Sequence, residues 1–333
     1  MLRKHNFAEH LLFFLNSFIH TYVFFCVFSF LSIRVRQMKF SNYTKLQEFV
    51  KKELFPLSYQ DMHEIYTGGS SYNFCVITSG GRYLLKLLQN EDMFLKIKSL
   101  NKINGTLHKI ATEDFLNYKL VLMTYFDGHR IHYKDFSEPV IRNFWKEYQS
   151  VNHFKLNKRL IGDQQDNMSQ YNTVEQLLKK ARWNIFGYCY DKILKIIKDD
   201  LICLSLPRQI IHGDLTANNI LVARGENPHI IDWGSVRYGY ACEDLASLIL
   251  QLAGFRTPVG RISRFKKLFS SINKYAQLSS EEWFYGIQAF YLNLLKRRLS
   301  NAKKQTFRKN FSLLLVVLGY LRVRSFIIKE KHI

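Results

Sequence analysis

One short stretch holds side chains suited to moving a phosphoryl group. It reads Ile210-Ile211-His212-Gly213-Asp214-Leu215-Thr216-Ala217-Asn218-Asn219-Ile220-Leu221. Asp232 follows Asn219 by 13 residues, within Ile230-Ile231-Asp232-Trp233-Gly234. Phosphoryl transfer from ATP asks a protein for little covalent work. It needs one group to orient the attacking hydroxyl and oxygen ligands to hold magnesium on the phosphates. Asp214 suits the first role. Asn219 and Asp232 suit the second, because magnesium is a hard cation that favours oxygen. His212 is better placed to support the loop backbone than to act as a base. Asp, Asn and Gly also crowd ordinary turns. What separates this stretch from a turn is the compound pattern, with apolar strand-like runs on its flanks.

The run H-G-D-L-x-x-x-N-I-L followed by I-D-W-G resembles the aminoglycoside phosphotransferase and choline kinase-like branch of the kinase superfamily. Glu243-Asp244-Leu245-Ala246 is similar to the D-L-A segment that opens a helix there. The resemblance runs from about Ile65 to Ala253. It implies that Asp214 is the catalytic aspartate, with His212 beside it, and that Asn219 and Asp232 ligate magnesium. It also implies that Asp244 caps its helix or braces the catalytic loop. Thr67-Gly68-Gly69-Ser70-Ser71-Tyr72-Asn73 is similar to the family's G-x-S-x-N nucleotide loop, which brings in Gly68, Gly69, Ser70 and Asn73. Successive N–H groups in such a loop can cradle phosphate, although alone it reads as a common turn. Lys86, in Tyr83-Leu84-Leu85-Lys86-Leu87, resembles the strand lysine that meets the α- and β-phosphates. A lysine in an apolar strand is otherwise expected on its exposed face. Leu122-Met123-Thr124-Tyr125 reads as the hinge, where backbone groups around Met123 and Tyr125 would meet adenine. Kinase-like folds orient the strand lysine with a glutamate on the neighbouring helix. Here that helix carries Lys96 and Lys98 centrally and acids only at its start, Glu91 and Asp92. The partner of Lys86 is left open.

These residues need elements to hold them. The spacing predicts a helix over Tyr43–Leu54, strands over Tyr72–Thr78, Tyr83–Leu88 and Lys119–Tyr125, and a helix over Asp92–Ile103. From Ser137 the pattern turns helical: Glu138–Phe154, Thr173–Phe186, Tyr188–Leu204, Glu243–Leu252, Arg261–Asn273, Glu281–Leu299 and Thr306–Ile328. Short strands at Ile220–Ala223 and His229–Ile231 interrupt it beside the chemical residues. A β-rich part followed by an α-rich part is an α+β arrangement. With the resemblance it implies a two-lobed protein kinase-like fold, with a small β-rich N-lobe and a larger α-rich C-lobe. The expected divisions are an apolar segment over 1–37, a nucleotide-binding lobe over 38–126 and a catalytic, acceptor-binding lobe over 127–333.

The chain has 333 residues and a formal net charge of +21. From Gln251 onward there are 17 Lys and Arg against three acids. Such an imbalance attracts anions; solvated helix faces are the plainer explanation. The five cysteines are scattered with no C-x-x-C pair. That argues against a disulfide framework or a zinc site and for a reducing compartment. Leu11 to Ile33 is a Phe-rich apolar run long enough to span a bilayer with some tilt. A competing reading starts the chain at Met38.

Three functions stay in play. The first is an ATP- and magnesium-dependent transfer to a hydroxyl of a small molecule or glycan. The second is an atypical protein kinase, although the interval of only 12 residues from Asp232 to Asp244 leaves little room for a peptide-binding segment. The third is a catalytically impaired binding protein. The basic late helices, expected to wall the acceptor site, favour a neutral or anionic acceptor over a polycation, and nucleic acid is not the expected partner. Trp283, Phe284, Tyr285, Phe290 and Tyr291 are either core or a platform for a sugar ring. The expected setting is cytoplasmic, with membrane association through 11–33 or the basic C-terminal region left open.

Overall fold

The computed structural model describes residues 42–55, 58–65, 71–104, 107–110, 115–150, 167–180, 194–201, 208–223, 227–255, 260–300 and 307–330. The chain divides into two compact units, 1–48 and 49–333. In the first, the described residues begin helix α1 (Tyr43–Phe49). The expected apolar segment at 11–33 lies outside the described residues.

The second unit opens with a widened π-turn at Val50–Leu54, closed by the Phe55 N–H on Val50 O at 3.0 Å. A five-stranded antiparallel sheet follows. Its strands are β1 (Tyr59–Ile65), β2 (Tyr72–Thr78), β3 (Gly81–Leu88), β4 (Leu107–Ile110) and β5 (Lys119–Thr124), in the order β1-β2-β3-β5-β4. Helix α2 (Glu91–Asn104) lies against it. Leu88 and Val121 from the sheet meet Phe94 and Ile97 from the helix in a small apolar cluster. β3 is central, and its register sets Lys86 opposite Asn73 on one side and Val121 on the other.

β6 (His129–Arg130) leads into the helical part. There α3 (Glu138–Ser150), α4 (Asn167–Lys180), α5 (Ala241–Leu252), α6 (Ile262–Ala276), α7 (Ser280–Ser300) and α8 (Phe307–Glu330) share one large core. α7 is its hub, packing against α4, α5 and α8. Trp283, Ile287, Tyr291 and Leu295 recur every fourth residue along it and are all buried, as one helix face requires. Gly286 lets it cross α5 closely: a Cβ there would stand 2.2 Å from the Cys242 carbonyl oxygen. Two small sheets complete the fold. β7 (Gln209–Ile211) pairs with β10 (Arg237–Gly239), and β6, β8 (Ile220–Val222) and β9 (Pro228–Ile230) form the other.

Candidate active site

β7 and β8 frame the loop that carries His212, Gly213, Asp214 and Asn219, and β9 ends just before Asp232. Antiparallel pairing of β8 with β9 sets Ile220 opposite Ile230. It therefore brings Asn219 beside Ile231, whose N–H donates to the Asn219 carbonyl at 2.9 Å. The Asn219 Nδ2 donates to the Asp214 carbonyl at 2.8 Å. That bond fixes the amide by its nitrogen end and leaves its oxygen as the acceptor end.

His212 is fully buried and knits the two segments. Its Nε2 lies 2.9 Å from the Ile231 carbonyl, and its Nδ1 lies 3.3 Å from the Asp214 N–H. The network assigns the proton to Nε2 and leaves Nδ1 as acceptor. The ring leans on Trp233 at 4.7 Å. His212 thus touches loop backbone, not the space in front of Asp214.

Asp244, at the start of α5, holds the loop from below. Its Oδ2 accepts from the His212 N–H at 2.6 Å and from the Tyr148 hydroxyl at 3.1 Å, and its Oδ1 accepts from the Gly213 N–H at 3.0 Å. Burial and the adjacent Asp244 carboxylate push the Tyr148 phenol far up, so it stays a donor. Gly213 has φ +79°, and a Cβ there would sit 2.1 Å from the Ser235 carbonyl oxygen. Only glycine fits that approach.

Asp232 itself adopts the left-handed region, φ 62° and ψ 54°, a strained conformation for a side-chain-bearing residue. It meets the sheet directly: Lys86 Nζ donates to Asp232 Oδ1 at 2.7 Å. Lys86 is buried, with only 5% of its surface exposed, so the ordinary outward-facing fate of a strand lysine does not hold here. Asp232 takes the place that a helix glutamate would fill. Glu91 and Asp92 are exposed, and Glu91 reaches only Lys119, at 3.7 Å.

Asn73 is buried on β2, with Nδ2 near Ser71 O at 3.3 Å. Met123 sits on β5, paired with Leu84 and Leu107. Tyr125 follows the strand, with Arg82 over its ring at 5.2 Å. Gly68, Gly69 and Ser70 lie outside the described residues. Asn219 and Asp232 offer one amide and one carboxylate oxygen set, which fits magnesium arriving on phosphates. Among the described residues no cluster of three or more His, Cys, Asp or Glu could hold a metal by itself.

In front of Asp214 lies a cavity of about 250 Å³. α5 lines it with Ser247 and Gln251, α7 with Phe290, Asn293 and Arg297. Trp283, Phe284, Tyr285 and Tyr291 are core; of that aromatic group only Phe290 reaches the cavity. Nor do the basic residues of α6 wall it. Arg261, Lys266 and Lys267 are exposed on the outer face of that helix, because Phe265, Leu268 and Ile272 claim its inner face.

Residues 152–269 match the model of the phosphotransferase enzyme family, a segment that contains His212, Asp214, Asn219, Asp232 and Asp244. The chain has a kinase-like fold, and solved structures of phosphotransferases share it. The GDP complex of aminoglycoside 2'-phosphotransferase-IIIa is similar at TM-score 0.64 and 11% identity, over 84% of this chain and 99% of that one. A choline kinase from Cryptosporidium parvum is similar at 0.62 and 14%, over 87% and 97%. A Plasmodium vivax ethanolamine kinase is similar at 0.60 and 16%, over 86% and 91%. A sequence search of curated proteins finds no match to the chain.

Proposed function

We propose that the chain transfers the γ-phosphoryl group of ATP, with magnesium, to a hydroxyl of a small molecule or sugar that is neutral or anionic. The observation that carries this is the single hydrogen-bonded network joining Asp214, Asn219, the Ile231–Asp232 segment and Lys86. It unites, from opposite ends of the sequence, the groups such a transfer needs.

Asp214 orients the acceptor hydroxyl and takes its proton as the oxygen attacks the γ-phosphorus. The new P–O bond forms as the bond to the β,γ-bridging oxygen breaks, and that oxygen leaves with the electron pair on ADP. Asn219 and Asp232 would hold magnesium, which when bound neutralises charge building on the phosphates. Lys86 shifts from Asp232 toward phosphate oxygens once they are present. His212 and Asp244 hold the loop in place throughout. An ATP-dependent reaction, with Cys75 and Cys242 both free thiols, fits a cytoplasmic setting. No described helix is long and apolar enough to cross a membrane.

Isothermal titration of the full chain with ATP, with and without magnesium, tests the reading. We expect magnesium-dependent binding within the range common for enzymes, about 1 μM–1 mM. Asp214→Asn should abolish transfer to hydroxylated metabolites and spare that binding. A folded sample with no magnesium-dependent nucleotide affinity would sink the assignment.

A further inference from the structure

We infer that the acceptor is a hydroxy acid or sugar acid, or a sugar phosphate, whose anionic group lies a few bonds from the hydroxyl to be phosphorylated, and that Arg297 binds that group. This rests on the phosphotransferase reading above and narrows its acceptor.

Three acids line the cavity, Asp214, Glu243 and Asp244. Of these, Asp244 is consumed by three donors: two loop N–H groups and the Tyr148 hydroxyl. Glu243 is consumed by Arg237 at 3.0 Å and by the Tyr240 N–H at 3.0 Å. Both are thus already engaged by donors of the protein itself. The remaining acid lining the cavity is Asp214, and its task is to receive a proton from a hydroxyl. An ammonium drawn to Asp214 would occupy the base and would face Arg297, whose guanidinium lies 3.9 Å from Asp214 Oδ1.

Arg297 is the cation at the mouth. Its distance from Asp214 is too long for a hydrogen bond, and its side chain is 66% exposed. So loose and hydrated a pair is easily exchanged for a better anion. A carboxylate or phosphate can take two parallel N–H bonds from a guanidinium fork. With Asp214 and Arg297 this close, one small acceptor can meet both only if its hydroxyl and its anionic group are near neighbours.

A second guanidinium, that of Arg237, also lines the cavity and is held there by Glu243 at 3.0 Å. The remaining lining suits a polyol: Ser247, Gln251 and Asn293 offer hydroxyl and amide groups, and Phe290 a half-buried ring. At about 250 Å³ the space lies below the roughly 300–1,000 Å³ of pockets for drug-sized ligands. A monosaccharide or smaller acid fits it.

Matched pairs test the inference on the full chain: glucuronate against glucose, glycerate against glycerol, and glucose 6-phosphate against glucose. Binding is read by titration and by ligand-observed NMR, at low and at high salt. We expect the anionic member of at least one pair to bind about tenfold more tightly, with the advantage shrinking in high salt. Arg297→Gln should bring that pair to parity, Arg297→Lys should restore part of the preference, and both should keep magnesium–nucleotide affinity. Equal affinities within every pair, no binding of any anionic member, or a preference that survives Arg297→Gln would overturn it. The nucleotide titration is a separate arm. Its failure in the wild-type chain counts against the phosphotransferase reading, whereas the acceptor titrations judge this inference directly.

Discussion

Lys86 and Asp232 form an ion pair across 146 residues of sequence, and under the proposed function each takes a second partner when nucleotide binds. Magnesium alone must compete with an ammonium for Asp232, so free metal should bind weakly. Lys86→Gln removes the competitor and the phosphate contact together. We expect the variant to bind magnesium more tightly than wild type in the absence of nucleotide, and ATP–magnesium less tightly. Two titrations check this; a change in the same direction in both would show that the pair is not an exchangeable one. Asp232→Asn should instead lose metal-dependent binding altogether. At this scale much was legible in the sequence. Asp214, Asn219 and Asp232 stand out because a carboxylate, an amide and a carboxylate on apolar strand ends have few other uses. Arg297 did not stand out: within Lys296-Arg297-Arg298 a ligand-binding cation looks like any solvated helix face. Arg237 was equally silent, because its ion pair with Glu243 forms only when β10 folds back along β7.

No strand is expected from the sequence at β1 or β4, nor at the short β6, β7 and β10. Six of the seven residues of β1 are not buried, and its polar Asp61, His63 and Glu64 are all exposed. An edge strand is often charged in this way, which guards against stray pairing and erases the alternating pattern that betrays a strand. α3 shows another kind of hidden role. Its Glu147 is half-buried, with Oε1 accepting from the Ile230 N–H on β9 at 2.8 Å. Burial pushes its carboxyl up to about 7, against a smaller opposing effect of that hydrogen bond. A raised carboxyl pKa means the folded state keeps a proton that the unfolded chain has already lost. The stabilisation is therefore full below the unfolded value near 4.5 and is lost as pH rises to about 7. Glu147→Gln keeps the acceptor oxygen and cannot ionise. We expect its melting temperature to exceed wild type above pH 7 and to vary less with pH between about 5 and 7. A parallel pair of curves would refute this. In α5, Asp244→Asn would turn an amide N–H toward loop N–H groups. It should cost about 2–4 kcal/mol by denaturant unfolding, and Tyr148→Phe about 1 kcal/mol.

The fold as a whole follows from gross pattern: a run of strands, then a run of helices, with the chemical residues between. The charge of +21 was a poorer guide. It predicted a basic wall from the late helices, but α6 spends its cations on solvent and on neighbours. Arg264 lies over the Tyr133 ring at 5.0 Å, and Lys274 pairs with Glu138 at 2.8 Å. A net field of this sign still hastens the approach of anions and is screened by salt. We expect the apparent KM for an anionic acceptor to rise with ionic strength, and to keep a residual rise in Arg297→Gln, because the distributed charge remains when the local contact is gone. Initial rates over a salt series read this out; a variant with no salt dependence would place the entire effect in one side chain.

α8 is tied to the residues after α4 through one aspartate. Arg324 grips Asp200 with both Nε and Nη2, the latter at 2.8 Å, and the Tyr320 hydroxyl reaches the same carboxylate at 3.0 Å. Gln288 of α7 donates to the Asp200 backbone carbonyl. In a chain made from its N-terminus, the partners of Asp200 are thus synthesised 88 to 124 residues after it. Domains fold as units while synthesis proceeds at about 5–20 residues per second. The helical lobe must therefore wait several seconds with one wall missing and an acid at the seam. During that interval the catalytic loop can have its local hydrogen bonds but not a closed core beneath it. A ribosome stalled before Arg324 would carry a nascent chain with the candidate site residues already made and the helical lobe still open, the natural moment for a chaperone to engage it.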